Sequence, residues 1–185
     1  MMNKAFFLDR DGVINVEVNY LHEPDKVELI PGVVEALRLI HSRGYLALVV
    51  TNQAGVAKGY YPESDVQAVH RRITELLEAA GTGVDGFYYC IHHPDFTGSC
   101  DCRKPAPGML LRAAAEHDVD PAGSVMVGDR LSDIAAGRAA GCRENILVRT
   151  GYGAECIRTQ DVAGIEVAED LLDAVTRYFG RQAES

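Results

Sequence analysis

The chain has 185 residues, of which 47% are hydrophobic and 24% charged, and its formal net charge is −9. These values are typical of a globular protein, and the length suffices for one domain with a full core but hardly for two. The acidic balance argues against nucleic acid or an anionic membrane as a partner. We therefore expect a small-molecule ligand, and an anionic ligand would need a local basic cluster to bind it.

The N-terminus has none of the segments of a signal peptide, and no run of 18 apolar residues could cross a membrane. An odd number of cysteines, five, in a chain without an export signal indicates metal ligands or free thiols before disulfides. Neither a repeat nor a linker interrupts the chain. We expect a cytoplasmic monomer with a single domain over residues 1–185.

The first element is an apolar strand beginning at Lys4 that ends in two carboxylates and a glycine, Asp9, Asp11 and Gly12. In open α/β sheets, ligands bind beyond the carboxyl ends of the strands. Both acids could hold a divalent cation there, and Asp9 could also form a covalent aspartyl phosphate. Taken alone, the same motif is also typical of a solvated turn after an edge strand.

Strands and helices then alternate along the chain. A long loop over residues 15–31 precedes the first helix. The pattern predicts helices over 33–44 and 62–81, from 107, after Asp133 and around 171–179, and strands over 45–50, 86–91, 124–127 and 145–148. This alternation predicts the α/β class: a doubly wound, mainly parallel sheet with helices on both faces.

Polar side chains of complementary type follow the predicted strands. Thr51 and Asn52 can donate hydrogen bonds to phosphate oxygens, and Asp129, with Asp133 nearby, can bind a cation. Further bases are Arg103, Lys104 and Arg130. Each residue alone has an ordinary alternative as a strand end, a loop base or a turn. Together with the first two acids they form a set suited to phosphoryl transfer, which depends on positioning and charge neutralisation.

The loop over residues 90–102 is rich in cysteine and histidine. Cys90, His92, Cys100 and Cys102 suit a closed tetrahedral zinc site, which would be structural because it leaves no open position. His93 competes with His92 for the ligand role. The alternative is that Cys90 is a buried strand residue and the other two cysteines are a redox pair.

Four motifs resemble those of the haloacid-dehalogenase (HAD) superfamily, in the same order: Asp9-Arg10-Asp11-Gly12, Thr51-Asn52, Lys104 and Gly128-Asp129-x-x-x-Asp133. The resemblance implies a HAD-like Rossmannoid fold in which Asp9 is the nucleophile and Asp11 the general acid, then base. It implies that Thr51 and Lys104 steady the phosphoryl group. Catalytic Mg²⁺ would then be bound by Asp9, the Asp11 carbonyl and Asp129.

Within the superfamily, the segments 89–94, 100–105 and 107–109 are similar to the phosphatases that remove the 7-phosphate of D-glycero-D-manno-heptose 1,7-bisphosphate. Members serve nucleotide-activated heptose biosynthesis, a route to lipopolysaccharide. By this resemblance the substrate-binding residues are Glu17, Val18, Asn19, Tyr20, Asn52, Gln53, Ala54 and Arg103. The intervals between the four motifs leave no room for a separate cap domain.

Two alternatives remain open. The histidinol-phosphate phosphatase domain shares the zinc loop and the four motifs. A phospho-accepting signalling domain of the receiver type, which is not an enzyme, also combines acidic residues with a threonine and a lysine. In a receiver, however, the acceptor aspartate follows a later strand and no zinc loop is expected.

Overall fold

The computed structural model describes residues 2–183, and its centre is a six-stranded sheet in the order β3-β2-β1-β4-β5-β6. The strands are β1 Lys4–Leu8, β2 Tyr45–Asn52, β3 Gly86–Cys90, β4 Val125–Gly128, β5 Glu144–Val148 and β6 Glu166–Ala168. Every neighbouring pair is parallel. The predicted doubly wound α/β fold is confirmed.

Helices connect these strands and cover both faces of the sheet. They are α1 Val33–Ser42, α2 Ala54–Ala57, α3 Glu63–Ala79, α4 Pro94–Thr97, α5 Gly108–Glu116, α6 Leu131–Ala140, α7 Gly153–Thr159 and α8 Leu171–Ala183. Among the helices described, none is long and apolar enough to cross a membrane.

Alternate side chains of β1 belong to the two main cores. Phe6 and Leu8 pack with α1, α3 and α8, whereas Ala5 and Phe7 pack with α5 and α6. This division follows from the two-residue period of a strand, which sends successive side chains to opposite faces. Because β1 is buried on both faces, its sequence is continuously apolar and the site residues begin only where the strand ends.

The structure contains short elements that the sequence pattern did not predict. They are α2, α4, α7 and β6, which have between three and seven residues and are too short for a clear period. On α3, His70 is buried on the apolar face, whereas Leu76 is only half-buried.

The strand order reverses beside β1, since β2 lies on one side of it and β4 on the other. Such a reversal opens a crevice at the carboxyl ends of the strands, where ligands bind in doubly wound folds. Asp9 follows β1 directly, and Asp129 follows β4 directly. The order also differs from the 2-1-3-4-5 order of receiver-type domains, so the receiver alternative does not fit the fold.

Candidate active site

A cleft of about 400 Å³ lies at this end of the sheet. Its lining includes twelve residues from the four segments predicted to carry the site. Those residues are Asp9, Asp11, Glu17, Asn19, Tyr20, Thr51, Asn52, Gln53, Ala54, Arg103, Lys104 and Asp133. Acids and bases alternate around the cleft, so it can neutralise both a cation and an anionic substrate.

Lys104 makes three contacts at the floor of the cleft. Its Nζ donates to Asp9 Oδ1 at 2.9 Å and to the Val50 carbonyl at 2.7 Å, and lies 2.6 Å from Asp133 Oδ1. Burial alone would lower the pKa of Lys104, but the Asp133 and Asp9 carboxylates hold it above its ordinary value. A charged ammonium therefore stands beside the Asp9 carboxylate.

Asn52 fixes the segment that carries Lys104. Its amide nitrogen donates to the Lys104 carbonyl, and its amide oxygen accepts from the Lys104 backbone N–H, both at 3.0 Å. The Asn52 side chain thus joins the end of β2 to the loop after the cysteines. Thr51 is buried, and its hydroxyl accepts from Gln53 Nε2 at 2.9 Å.

Asp11 lies in a dense hydrogen-bond network. Both of its oxygens are contacted by the Arg10 guanidinium, and Asn15 and Gln53 each donate to it at 3.0 Å. Burial raises the pKa of Asp11, but the Arg10 charge and these donors outweigh burial and hold the pKa below its usual value. The network therefore favours the carboxylate.

A second acidic group lies beneath the cleft. Ligand oxygens of Asp9, Asp129 and Asp133 lie within 4.8 Å of one another, and all three residues are buried. Burial raises the pKa of Asp9 and of Asp129, and the neighbouring carboxylates add to the effect. Oδ1 of Asp129 is buried without a hydrogen-bond partner within the described chain. Three crowded hard oxygens and an orphaned acceptor fit a divalent cation such as Mg²⁺.

Asp129 is oriented by two close-packed glycines. Its Oδ2 accepts from the Tyr152 backbone N–H at 2.8 Å. A Cβ on Gly12 or on Gly151 would lie only 2.3 or 2.2 Å from that same oxygen. Both glycines also have positive φ, +83° and +60°, which disfavours any other residue. Gly12, in the first motif, thus makes room for the Asp129 carboxylate of the fourth motif.

The four predicted zinc ligands converge beside the cleft. Cys102 Sγ lies 2.9 Å from Cys90 Sγ and 3.4 Å from both Cys100 Sγ and His92 Nδ1. All four ligand atoms lie within 4.8 Å of one another, as a tetrahedral zinc site requires. His93 instead lines the cleft, so His92 is the histidine of the cluster. Arg103 and Lys104 follow Cys102 directly, so the cluster delivers both bases to the cleft.

The lining of the cleft and the predicted set of substrate-binding residues are not identical. Val18 is 44% exposed and is not part of the cleft lining, unlike its neighbours Glu17 and Asn19. Arg130, already expected among the bases of the site, also lines the cleft. Sequence reasoning assigned no substrate contact to Leu21, Lys58, Tyr61, His93, Pro105, Ser132 and Tyr152, which complete the lining. Lys58 carried a detectable signal, because it follows a motif of the predicted site in sequence.

Comparison with known proteins decides the family. The chain is 46% identical over 154 residues to the D-glycero-β-D-manno-heptose-1,7-bisphosphate 7-phosphatase of Haemophilus influenzae, covering 81% of this chain and 84% of that protein. It is 45% identical to the protein of the same name from Escherichia coli K12, with 80% of each covered. The chain belongs to this heptose-bisphosphate phosphatase family. It is therefore a HAD phosphatase, as predicted.

Two further comparisons agree with this family. The HAD-hydrolase-like family model matches residues 101–174. A D,D-heptose 1,7-bisphosphate phosphatase from B. bronchiseptica, solved with magnesium and phosphate, aligns with a TM-score of 0.87 at 34% identity, covering 96% of this chain and 99% of that one. Its counterpart from Burkholderia thailandensis aligns with a TM-score of 0.72 at 30% identity, with the same coverage. Membership of the family implies a divalent metal such as Mg²⁺.

Proposed function

We propose that the protein hydrolyses the 7-phosphate of D-glycero-β-D-manno-heptose 1,7-bisphosphate. Besides the family, the distribution of bases in the cleft supports this substrate. Lys104 is buried at the floor, whereas Lys58, Arg103 and Arg130 lie nearer the rim. A bisphosphate needs positive charge at two separate depths, one for the phosphate that reacts and one for the phosphate that stays.

Asp9 is the proposed nucleophile. Oδ1 accepts from the Arg10 backbone N–H at 2.8 Å and from Lys104, and within residues 2–183 no donor contacts Oδ2. Oδ2 is therefore the oxygen available to attack phosphorus. The new Oδ2–P bond replaces the bond between phosphorus and the C7 oxygen, and an aspartyl phosphate remains. Thr51 and Lys104 would steady the phosphoryl group during the transfer.

Asp11 is the proposed acid and base. Its proton goes to the departing C7 oxygen, and the resulting carboxylate then takes a proton from the water that attacks the aspartyl phosphate. The hydrogen-bond network around Asp11 favours the ionised form that this second step needs. The dianionic charge of a bound phosphate raises the pKa of Asp11 and so favours the protonated form that the first step needs.

Mg²⁺ is the proposed catalytic cofactor, held by Asp9, the Asp11 carbonyl and Asp129. Bound there, it would neutralise phosphate charge and orient the phosphoryl group. Asp133 has another role in this arrangement. One of its oxygens pairs with Lys104 and the other accepts from the Arg130 backbone N–H at 2.9 Å, so it orients the lysine.

Gly151→Ala should weaken Mg²⁺ binding at least about tenfold, because a methyl group would displace the Asp129 carboxylate by more than a metal site tolerates. Calorimetric titration with Mg²⁺ measures this without any turnover. Gly164→Ala is the matched control, since Gly164 also has positive φ, +72°, but nothing lies within 4 Å of its Cβ. Asp129→Ala removes the proposed ligand itself and should show the largest loss of Mg²⁺ affinity. Equal Mg²⁺ affinity in both glycine variants would contradict the assignment of Asp129.

Zn²⁺ is the proposed structural metal, held by Cys90, His92, Cys100 and Cys102. The four side chains leave no open position, so the metal would order the loop rather than take part in the reaction. The substrate-binding residues proposed for the sugar are Glu17, Asn19, Tyr20, Gln53, Ala54 and Arg103, with Asn52 acting through the Lys104 backbone and Val18 shaping the outer rim.

Phosphate release from a panel of sugar phosphates tests the substrate. We expect the β anomer of the heptose 1,7-bisphosphate to give the highest kcat/KM and the 7-phosphate to be the one released. Histidinol phosphate, whose remaining group is a cation, should be poor because Lys58, Arg103 and Arg130 would repel it. Faster turnover of histidinol phosphate than of the heptose bisphosphate would reverse the assignment.

We further propose that residues 1–185 act as a single-domain monomer in the cytoplasm. All residues of the cleft and of the cysteine cluster come from one chain, so a second copy is not needed to complete either. The reduced thiols that a zinc cluster requires suit a reducing compartment.

A further inference from the structure

His70 is a buried titratable side chain that the mechanism above does not use. It lies on the apolar face of α3, is 6% exposed, and is 60 residues away in sequence from the nucleophile motif. Its ring stacks on Phe87 of β3 with 4.4 Å between centroids and 14° between planes. A polar ring among apolar side chains needs a hydrogen-bond partner, because an unsatisfied buried group is costly.

The partner of His70 is Arg10, which lies between the two catalytic acids. Arg10 is completely buried, and its NH1 lies 3.3 Å from His70 Nε2. A guanidinium can only donate, so Nε2 must accept and the hydrogen of the neutral ring must lie on Nδ1. Burial first, and the Arg10 charge second, lower the pKa of His70 to about 3, so the ring stays neutral and remains an acceptor.

The other nitrogens of Arg10 face Asp11. NH2 lies 3.0 Å from each oxygen of Asp11, and Nε lies 3.2 and 3.3 Å from them. NH2 also approaches the Leu21 carbonyl at 3.4 Å. Since a guanidinium is planar and rigid, fixing NH1 fixes the plane in which Nε and NH2 meet the carboxylate. His70 therefore acts on the orientation of Asp11 through one intervening side chain.

We propose that Arg10 and His70 are positioning residues that hold the Asp11 carboxylate in the orientation for proton transfer to the leaving oxygen and from the attacking water. This inference rests on the proposed role of Asp11. It gives α3 and the edge strand β3 a part in the reaction, although neither contributes a reacting group. Phe87 packs against the His70 ring, the ring accepts from the Arg10 guanidinium, and the guanidinium orients the Asp11 carboxylate.

The test compares two variants of His70. His70→Leu replaces the hydrogen-bond acceptor with an apolar side chain. The kcat for an alkyl phosphate should then fall about tenfold, which is a fraction of the 10²–10⁴-fold that acid–base catalysis contributes. KM should stay within about twofold because no substrate contact is lost. His70→Gln places an amide oxygen close to the position of Nε2 and should recover most of kcat. A purely structural role predicts no such recovery.

The leaving group supplies a second readout. p-Nitrophenolate departs without a proton, so its phosphate ester needs no acid in the first step. Its kcat/KM, which reports only the steps up to the aspartyl phosphate, should therefore fall less in His70→Leu than that of the alkyl ester. Arg10→Lys, which keeps the charge but loses the planar fork, should show the same leaving-group pattern. Ile73→Val, at a buried position on the same helix without a polar contact, is the control and should lower the melting temperature without changing kcat.

The alkyl ester is the heptose bisphosphate, or whichever sugar phosphate the wild type hydrolyses. Wild-type turnover of another sugar phosphate but not of the heptose bisphosphate would overturn the proposed substrate and leave the comparison of variants valid. An unchanged kcat in a folded His70→Leu protein, or equal losses of kcat/KM for both leaving groups, would overturn the positioning role instead.

Discussion

Asp9→Asn is expected to lower kcat by on the order of 10⁴ or more, as happens when other enzymes lose their nucleophile. An amide oxygen is a poor nucleophile and a weaker ligand for Mg²⁺, although it fills almost the same space as the carboxylate. It can still accept from the Arg10 backbone N–H and from Lys104 at the positions that Asp9 Oδ1 occupies. Turnover should therefore be lost while the fold is kept.

The melting temperature distinguishes loss of the nucleophile from loss of the fold. Burial and the neighbouring acids raise the pKa of Asp9, so a carboxylate at that position is destabilising in the absence of metal. We expect the melting temperature of metal-free Asp9→Asn to equal or exceed that of the wild type. Asp25→Asn, which removes the same charge from an exposed position, is the control and should keep full activity. Turnover by Asp9→Asn within tenfold of the wild type would rule out the covalent mechanism.

Cys102→Ala is expected to lower kcat/KM on the order of 100-fold, the loss that a misplacement of about 1 Å can cause at a reacting centre. Binding of zinc is coupled to local folding and is worth about 10–16 kcal/mol in zinc-finger peptides. Even a small part of that would order a loop of polar residues and glycine. Arg103 and Lys104 follow the cluster directly, so a loosened loop removes a rim base and the partner of Asp9 together.

The zinc result has a matched control in the same chain. Cys142→Ala also removes a thiol, but Cys142 lies outside the cluster, so activity and zinc content should be unchanged. Elemental analysis should find one zinc per chain in the wild type. After zinc is stripped, added Zn²⁺ should restore activity and added Mg²⁺ alone should not. A zinc-free wild type of full activity would contradict the proposal, and so would a fully active Cys102→Ala.

The fold could be predicted largely because β1 and β2 are buried on both faces. Their continuously apolar runs stop abruptly at Asp9, directly after β1, and at Thr51, in the last two residues of β2, which locates the polar residues of the site to within two positions of each strand end. The same logic located Asp129 after β4. Where a strand is short and at the edge, as β6 is, the hydrophobic pattern has too few residues to be read, and that element was missed.

The rest of the site depends on contacts between distant parts of the chain. Nothing in the helical pattern of α3 distinguishes His70 from an ordinary core histidine, because its partner is 60 residues earlier. The packing of Gly151 against Asp129 likewise follows from two loops that meet only in the folded sheet. The residue types beside a motif can be read from the sequence. The residues that orient the site, such as His70 and Gly151, come near it only in the three-dimensional arrangement.

The place of β1 at the middle of the sheet has a consequence for biosynthesis. Phe6 pairs with Ala47 on one side but with Val125 on the other. More than a hundred further residues must therefore be translated before the second edge of β1 can be paired. β1, β2 and β3 can associate early during translation, whereas β4 arrives late. Until then the Asp9 carboxylate lacks its neighbour Asp129. A chain that ends before β4 therefore lacks a complete site, and the nascent protein acquires its reactivity late, when β4 pairs with the open edge of β1.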